Sequence, residues 1–258
     1  MEISSVALAA CAGMVSAGFA LVTADRWHRR RLTHHGAWTI AMALFSVGSF
    51  ALWWASSAGW SDGVFRVFFT AGAVLNVSWL ALGSVALLAG DRVAIPLRRV
   101  LALLSAFAVG VMFVAPTKNE IVAAEFPRAR DHFGVLPRVL AGVGSGVPAL
   151  VILLGAAWSV ARILSRKSPA LENARRHLPV SSARLVASNV LIATGTVVLS
   201  ASGSLAGRLG EARAFTVTLA VGVVILFIGF LLPGMKAGTR GESVAGGWPS
   251  PFQATTTE

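Results

Sequence analysis

Seven stretches free of Asp, Glu, Lys and Arg divide this chain, at 3–24, 32–61, 67–90, 100–117, 139–161, 185–207 and 214–235. A helix crosses the hydrocarbon core of a bilayer in about 20 apolar residues, and in lipid only helices and closed barrels satisfy their own backbone groups. Each stretch is near that length, so the sequence reads as an all-α polytopic membrane protein with seven transmembrane helices. His34, His35, Gly36 and Ser61 trim the second stretch to 37–58, and Pro96 and Pro116 bound the fourth and shortest. Charged residues make up 13% of the chain, against about 25% in a soluble domain, which is too little to cover a water-facing surface. The transmembrane domain is expected over 1–236. The Gly-, Ser-, Thr- and Pro-rich tail, 237–258, lacks apolar periodicity and is expected to be disordered and cytoplasmic.

The net charge of +11 would point a soluble protein toward nucleic acid. Here the basic residues sit in short loops between apolar runs, where they set orientation, and no nucleic-acid partner is expected. With the N-terminus outside, the cytoplasmic loops hold 15 Lys and Arg and the outer loops 7, while acidic residues divide 5 to 6. The first stretch has no basic n-region and is followed by Asp25, Arg26 and an Arg cluster, so it reads as a retained helix and not a cleaved signal peptide. Arg supplies 19 of the 22 basic residues in a chain without Tyr. That bias suggests a GC-rich bacterial genome, and hence a bacterial inner or plasma membrane.

Chemistry inside a bilayer normally leaves ionisable side chains in the spans despite a cost of about 2.5–3.5 kcal/mol each; the seven stretches contain no Asp, Glu, Lys or Arg. His28, His34, His35, His132 and His177 lie in loops or at boundaries, so bis-His haem ligation has no candidates. The lone Cys11 permits neither an intrachain disulfide nor a cysteine zinc site. A retinal protein of the microbial rhodopsin type has this span count and orientation, and Arg66 opens the third segment as in that type. Its Schiff-base lysine is absent from 214–235, however, since Lys236 lies beyond. No cofactor or metal is expected.

The longest outer loop, 117–137, carries Glu120, Glu125, Arg128, Arg130, Asp131 and His132, with Ile121, Val122 and Phe126 able to form a short surface helix. Its acids and His132 do not reproduce a metal-ligand spacing and read as a solvated, locally ion-paired loop. Trp27 and Trp38 at one boundary, and Trp53, Trp54 and Trp60 at the other, read as interface anchors.

Helical spacing places Met42, Ser46, Ser49, Trp53 and Ser56 on one face of the second segment, and Gly72, Asn76, Trp79 and Gly83 on one face of the third. A shift of 147 maps the second segment onto the sixth, pairing Gly48 with Gly195 and bringing Asn189 and Thr196 onto the equivalent face. A shift of 150 maps the third onto the seventh, pairing Gly72 with Gly222. The near-equal offsets suggest a 3+1+3 internal repeat, a plan in which a site lies between the halves. In the fifth segment, Gly142 and Gly146 have GxxxG spacing, and Pro148 is expected to kink the helix and free carbonyls near Gly144 for a solute or Na⁺.

Three functional readings follow. The first is binding or translocation of a small neutral or lipophilic solute at an uncharged stripe of Ser46, Ser49, Asn76, Trp79, Asn189 and Thr196, with Ser49, Asn76 and Thr196 converging on one cavity. The second is a non-catalytic accessory or scaffold subunit, in which the same residues are packing contacts between helices and the small-residue faces meet other membrane proteins. The third is a lipid-modifying enzyme of the outer surface, using Glu120, Glu125, Asp131 or His132 as acid or base.

Overall fold

A computed structural model describes residues 3–164, 187–188, 190–199 and 212–232; Asn189 and the tail 237–258 lie outside the described residues. Helices account for 88% of the described residues, and there is no strand among them. The chain runs through α1 (Ile3–Arg30), α2 (Thr33–Ala58), α3 (Asp62–Ala89), α4 (Asp91–Val114) and α5 (Val135–Leu164). It continues into α6 (Val190–Leu199) and α7 (Ala212–Leu231). The first five are long and apolar enough to cross a membrane, whereas α6 and the apolar part of α7, Thr216–Gly229, are shorter, so five of the seven expected spans have the required length among the described residues.

Helix boundaries depart from the charge-free stretches because helices recruit charged residues as end groups. α1 runs on to Arg30, placing His28, Arg29 and Arg30 at the negative end of its dipole. Arg31 then takes a left-handed φ of 54° and breaks the chain before α2. α2 opens at Thr33, four residues before position 37, and takes His34 and His35 into its first turn. α3 opens at Asp62 rather than 67: the Val64 N–H donates to Ser61 Oγ (3.4 Å), and Asp62 stands in the first turn beside Arg66. α4 likewise reaches back to Asp91, so Pro96 falls inside the helix rather than before it.

α1 packs on α2 and α7, α2 on α3, and α3 on α4 and α5. Small residues set the closest approaches. Gly48 of α2 faces the Gly72 backbone of α3, where an added Cβ would lie 3.5 Å from the Gly72 nitrogen. Gly195 of α6 likewise faces the Gly222 carbonyl of α7, at 3.0 Å on the same measure. α4 is peripheral, with only Ala94, Ala108 and Met112 buried.

Two of the five expected interface tryptophans are core residues instead. Trp38 is buried, and a Cβ on Gly83 would overlap its indole. Trp60 is 4% exposed and meets Phe65, Phe68 and Phe126 edge-on. Trp27, Trp53 and Trp54 remain exposed.

Candidate functional site

Between α2, α3, α5, α6 and α7 lies a cavity of about 520 Å³, a size typical of small-molecule sites. Its wall is overwhelmingly apolar. Met42, Phe45 and Gly48 come from α2, Ala149 and Gly146 from α5, Leu199 from α6, and Leu219 and Leu226 from α7. The largest share comes from α3, and the backbone shows why. Residues Phe69–Leu75 form a π-helical stretch within α3, closed by the Asn76 N–H donating to the carbonyl of Ala71. A π turn holds more residues than an α turn, so adjacent pairs reach the same wall: Phe68 with Phe69, Gly72 with Ala73, Asn76 with Val77.

One end of the cavity is lined by the connection between α4 and α5. The expected surface helix is absent: only Ala129–His132 makes a helical turn, while Phe126 and Pro127 turn inward to the cavity wall. The aromatic pattern explains the difference. Phe126 meets Trp60 and Phe68, and Phe133, fully buried, stacks on Phe65 with ring centroids 5.0 Å apart and 3° between planes. Backbone bonds add to this, with the Trp60 N–H donating to the Ala123 carbonyl and the Lys118 N–H to the His132 carbonyl, both at 2.9 Å.

Arg66 ties the same end together. Its side chain, 14% exposed, pairs with Asp62 at 2.6 Å, donates to Thr117 Oγ1 (3.1 Å) and to the Met112 carbonyl of α4, and lies over the Phe133 ring. His132 is buried against Phe65 with Nδ1 3.1 Å from the Asn119 carbonyl, and Asp131 contacts Arg130 at 3.4 Å. Among the described residues, no group of three His, Cys, Asp or Glu side chains converges.

The polar stripe divides. Asn76 and Thr196 line the cavity; Ser46, Ser49 and Trp79 are not in its wall. Ser46 Oγ donates to the Gly13 carbonyl of α1 (3.0 Å), and Trp79 Nε1 donates to Ser105 Oγ of α4 (3.1 Å), so both are helix-to-helix contacts. Ser49 is 2% exposed with Oγ lacking a hydrogen-bond partner, but off the cavity.

Asn76 is 5% exposed, and its Oδ1 is buried without a hydrogen-bond partner among the described residues. Thr196 Oγ1 donates to its own helix at the Ile192 carbonyl (2.8 Å). Ser145, another wall residue, donates to Ala141 (2.7 Å). Both hydroxyls have therefore spent their proton and present lone pairs.

α5 continues through Pro148 without interruption. Pro148 has no N–H to offer Gly144, and the Gly144 carbonyl instead accepts Ser78 Oγ of α3 at 2.7 Å. The carbonyl expected to be free for a solute or Na⁺ is thus engaged in packing α3 on α5. Gly146 does reach the cavity wall.

Sequence reading missed the contributions of Phe126, Arg128, Arg130 and Ser145. The apolar Ile121 and Phe126 were the one available signal, and they pack inward against the core while Val122 stays exposed. No protein-family model, no curated protein and no solved structure matches this chain.

Proposed function

We propose that this is a multi-pass protein of a bacterial inner or plasma membrane, N-terminus outside and C-terminus cytoplasmic, that binds or passes a small neutral or lipophilic solute through the cavity beside Asn76. The observation that carries the reading is an apolar chamber whose wall holds a buried amide oxygen without a partner. Leaving such a group unsatisfied costs about 1–3 kcal/mol, and a solute bearing an N–H or O–H recovers it.

A 3+1+3 repeat is the companion proposal, and several contacts support it. The glycines matched by the two shifts oppose each other in pairs, Gly48 with Gly72 and Gly195 with Gly222. α1 packs on α7 as α5 packs on α3, the exchange of partners that a two-fold relation between triplets requires. Phe69 and Leu219, and Asn76 and Leu226, each related by 150, share the cavity wall, which supports a cavity between the halves, the position at which repeat-built transporters bind solutes.

The scaffold reading draws on Gly142, where an added Cβ would meet nothing within 4 Å among the described residues, a small-residue position of α5 that suits a partner helix.

The test is mild purification followed by mass spectrometry of co-purified small molecules, comparing the natural chain with Ala73→Phe, which fills the cavity. A molecule retained by the natural chain and lost from the variant is the expected result. Identical small-molecule content in the two proteins would overturn the reading.

A further inference from the structure

The polar groups of the cavity wall sit at two separate levels, and their chemistry differs. At the rim, the connection between α4 and α5 contributes Arg128 and Arg130. Arg130 is shared with Asp131 at 3.4 Å, whereas Arg128 is exposed and has no ion pair among the described residues. Arg66, the nearest other cation of α3, is committed to Asp62, Thr117 and Met112. The backbone that carries Arg128 is fixed on both sides, by Phe126 against Trp60 and Phe68 and by Phe133 against Phe65. Deeper lie Asn76, Ser145 and Thr196, which offer an amide oxygen without a partner among the described residues and two hydroxyl lone pairs. Asn76 is eight residues beyond Phe68 on α3, at the far side of the π-helical stretch. The wall between them on α3 is Phe69, Gly72 and Ala73.

From this we infer that the cavity takes an elongated amphiphile with an anionic group, carboxylate or phosphate, at the Arg128 rim and a hydroxyl or amide N–H at the level of Asn76. The inference rests on the solute-binding reading and narrows it to a chemical class. A planar guanidinium without a carboxylate partner suits an oxyanion. At the deeper level the group left unmatched is the Asn76 oxygen, an uncharged acceptor, so it suits a neutral donor. A plain alkyl chain would leave the Asn76 oxygen unsatisfied, and a wholly neutral ligand would leave Arg128 unused.

The experiment uses the full chain in nanodiscs of zwitterionic lipid, with binding followed by tryptophan fluorescence. The probes are 12-hydroxyoctadecanoic acid, octadecanoic acid and 1,12-octadecanediol. The hydroxy acid should bind tightest, with the plain acid and the diol each weaker by about tenfold, as loss of one charge-assisted or buried hydrogen bond implies. Arg128→Gln, at an exposed position, should abolish the preference for the hydroxy acid over the diol. Asn76→Leu should abolish its preference over the plain acid. Adding an anionic phospholipid to the discs separates the sources of the anion: displacement of the acid assigns the rim to a bilayer headgroup, and no displacement assigns it to a free single-chain acid. Equal binding of acid and diol, or a preference untouched by Arg128→Gln, would overturn the inference while leaving solute binding intact. Failure of all three probes to bind would overturn the inference and count against solute binding as well.

Discussion

Replacing Asn76 with Leu separates a binding residue from a packing residue, because the two roles predict opposite changes in stability. The Asn76 side chain is buried and its Oδ1 has no hydrogen-bond partner, so the ligand-free protein carries a penalty of about 1–3 kcal/mol that an apolar side chain removes. Leu has the same branching pattern, and its extra volume enters open cavity rather than a packed neighbour. Asn76→Leu should therefore raise the stability of ligand-free protein by about 1–3 kcal/mol. At about 2–4 °C per kcal/mol for a chain of this size, that is a rise in Tm of roughly 2–12 °C. Thermal unfolding followed by tryptophan fluorescence, after exhaustive delipidation, measures it. Ser49→Ala is the control: its hydroxyl is equally buried and unpartnered but lies off the cavity, so removing it should also leave stability level or higher without changing what the protein retains on purification. A lower Tm for Asn76→Leu would refute the reasoning, since it would mean that the amide makes a hydrogen bond worth keeping. Loss of a retained molecule from both variants alike would detach the cavity from Asn76.

Three further outcomes are expected. Ser78→Ala should cost about 0.6–1.7 kcal/mol in thermal unfolding by leaving the Gly144 carbonyl without a donor, and Pro148→Ala in the same chain should recover part of that loss by restoring an N–H to the helix; a simple sum of the two single effects would contradict the coupling. Arg66→Gln should release the connection between α4 and α5, so that trypsin cleaves at Lys118, Arg128 or Arg130 several-fold faster than in the natural chain, with unchanged cleavage arguing against the tie. With Cys11 replaced by Ser, a cysteine at position 58 or 123 should react with a membrane-impermeant thiol reagent in intact cells and one at position 30 should not, the reverse pattern refuting the proposed orientation.

What the sequence disclosed was local. Charge-free stretches and helical spacing are properties of neighbouring residues, and they located five long apolar helices, placed Asn76 and Thr196 on polar faces, and singled out the Gly144 carbonyl opposite Pro148. What it hid was long-range. Trp60 and Trp38 have the position of interface anchors, and nothing nearby shows that one is covered by Phe126, some sixty-six residues on, or that the other fits against Gly83. The stripe on α3 failed for a related reason: Asn76, Trp79 and Gly83 share a helical face, but α3 changes neighbours along its length, meeting the cavity at Asn76, Ser105 of α4 at Trp79 and Trp38 of α2 at Gly83. Asn189, the remaining stripe residue, is outside the described residues.

The π-helical stretch has a consequence for how α3 tolerates change in length. A π turn holds more residues than an α turn, so deleting one residue between Phe69 and Leu75 would let the stretch close into α-helix with the two halves kept near their present facing. A deletion in the α-helical turns on either side would instead rotate them against each other by about 100°. Each half is held elsewhere: Arg66 is tied to Asp62, Thr117 and Met112, while Ser78 is bonded to Gly144 and Gly83 is fitted to Trp38. No single rotation satisfies both sets. α3 therefore has one place where its residue count can give, the π turn, and a homologue one residue shorter anywhere else between these fixed points would have to rebuild one end of the bundle.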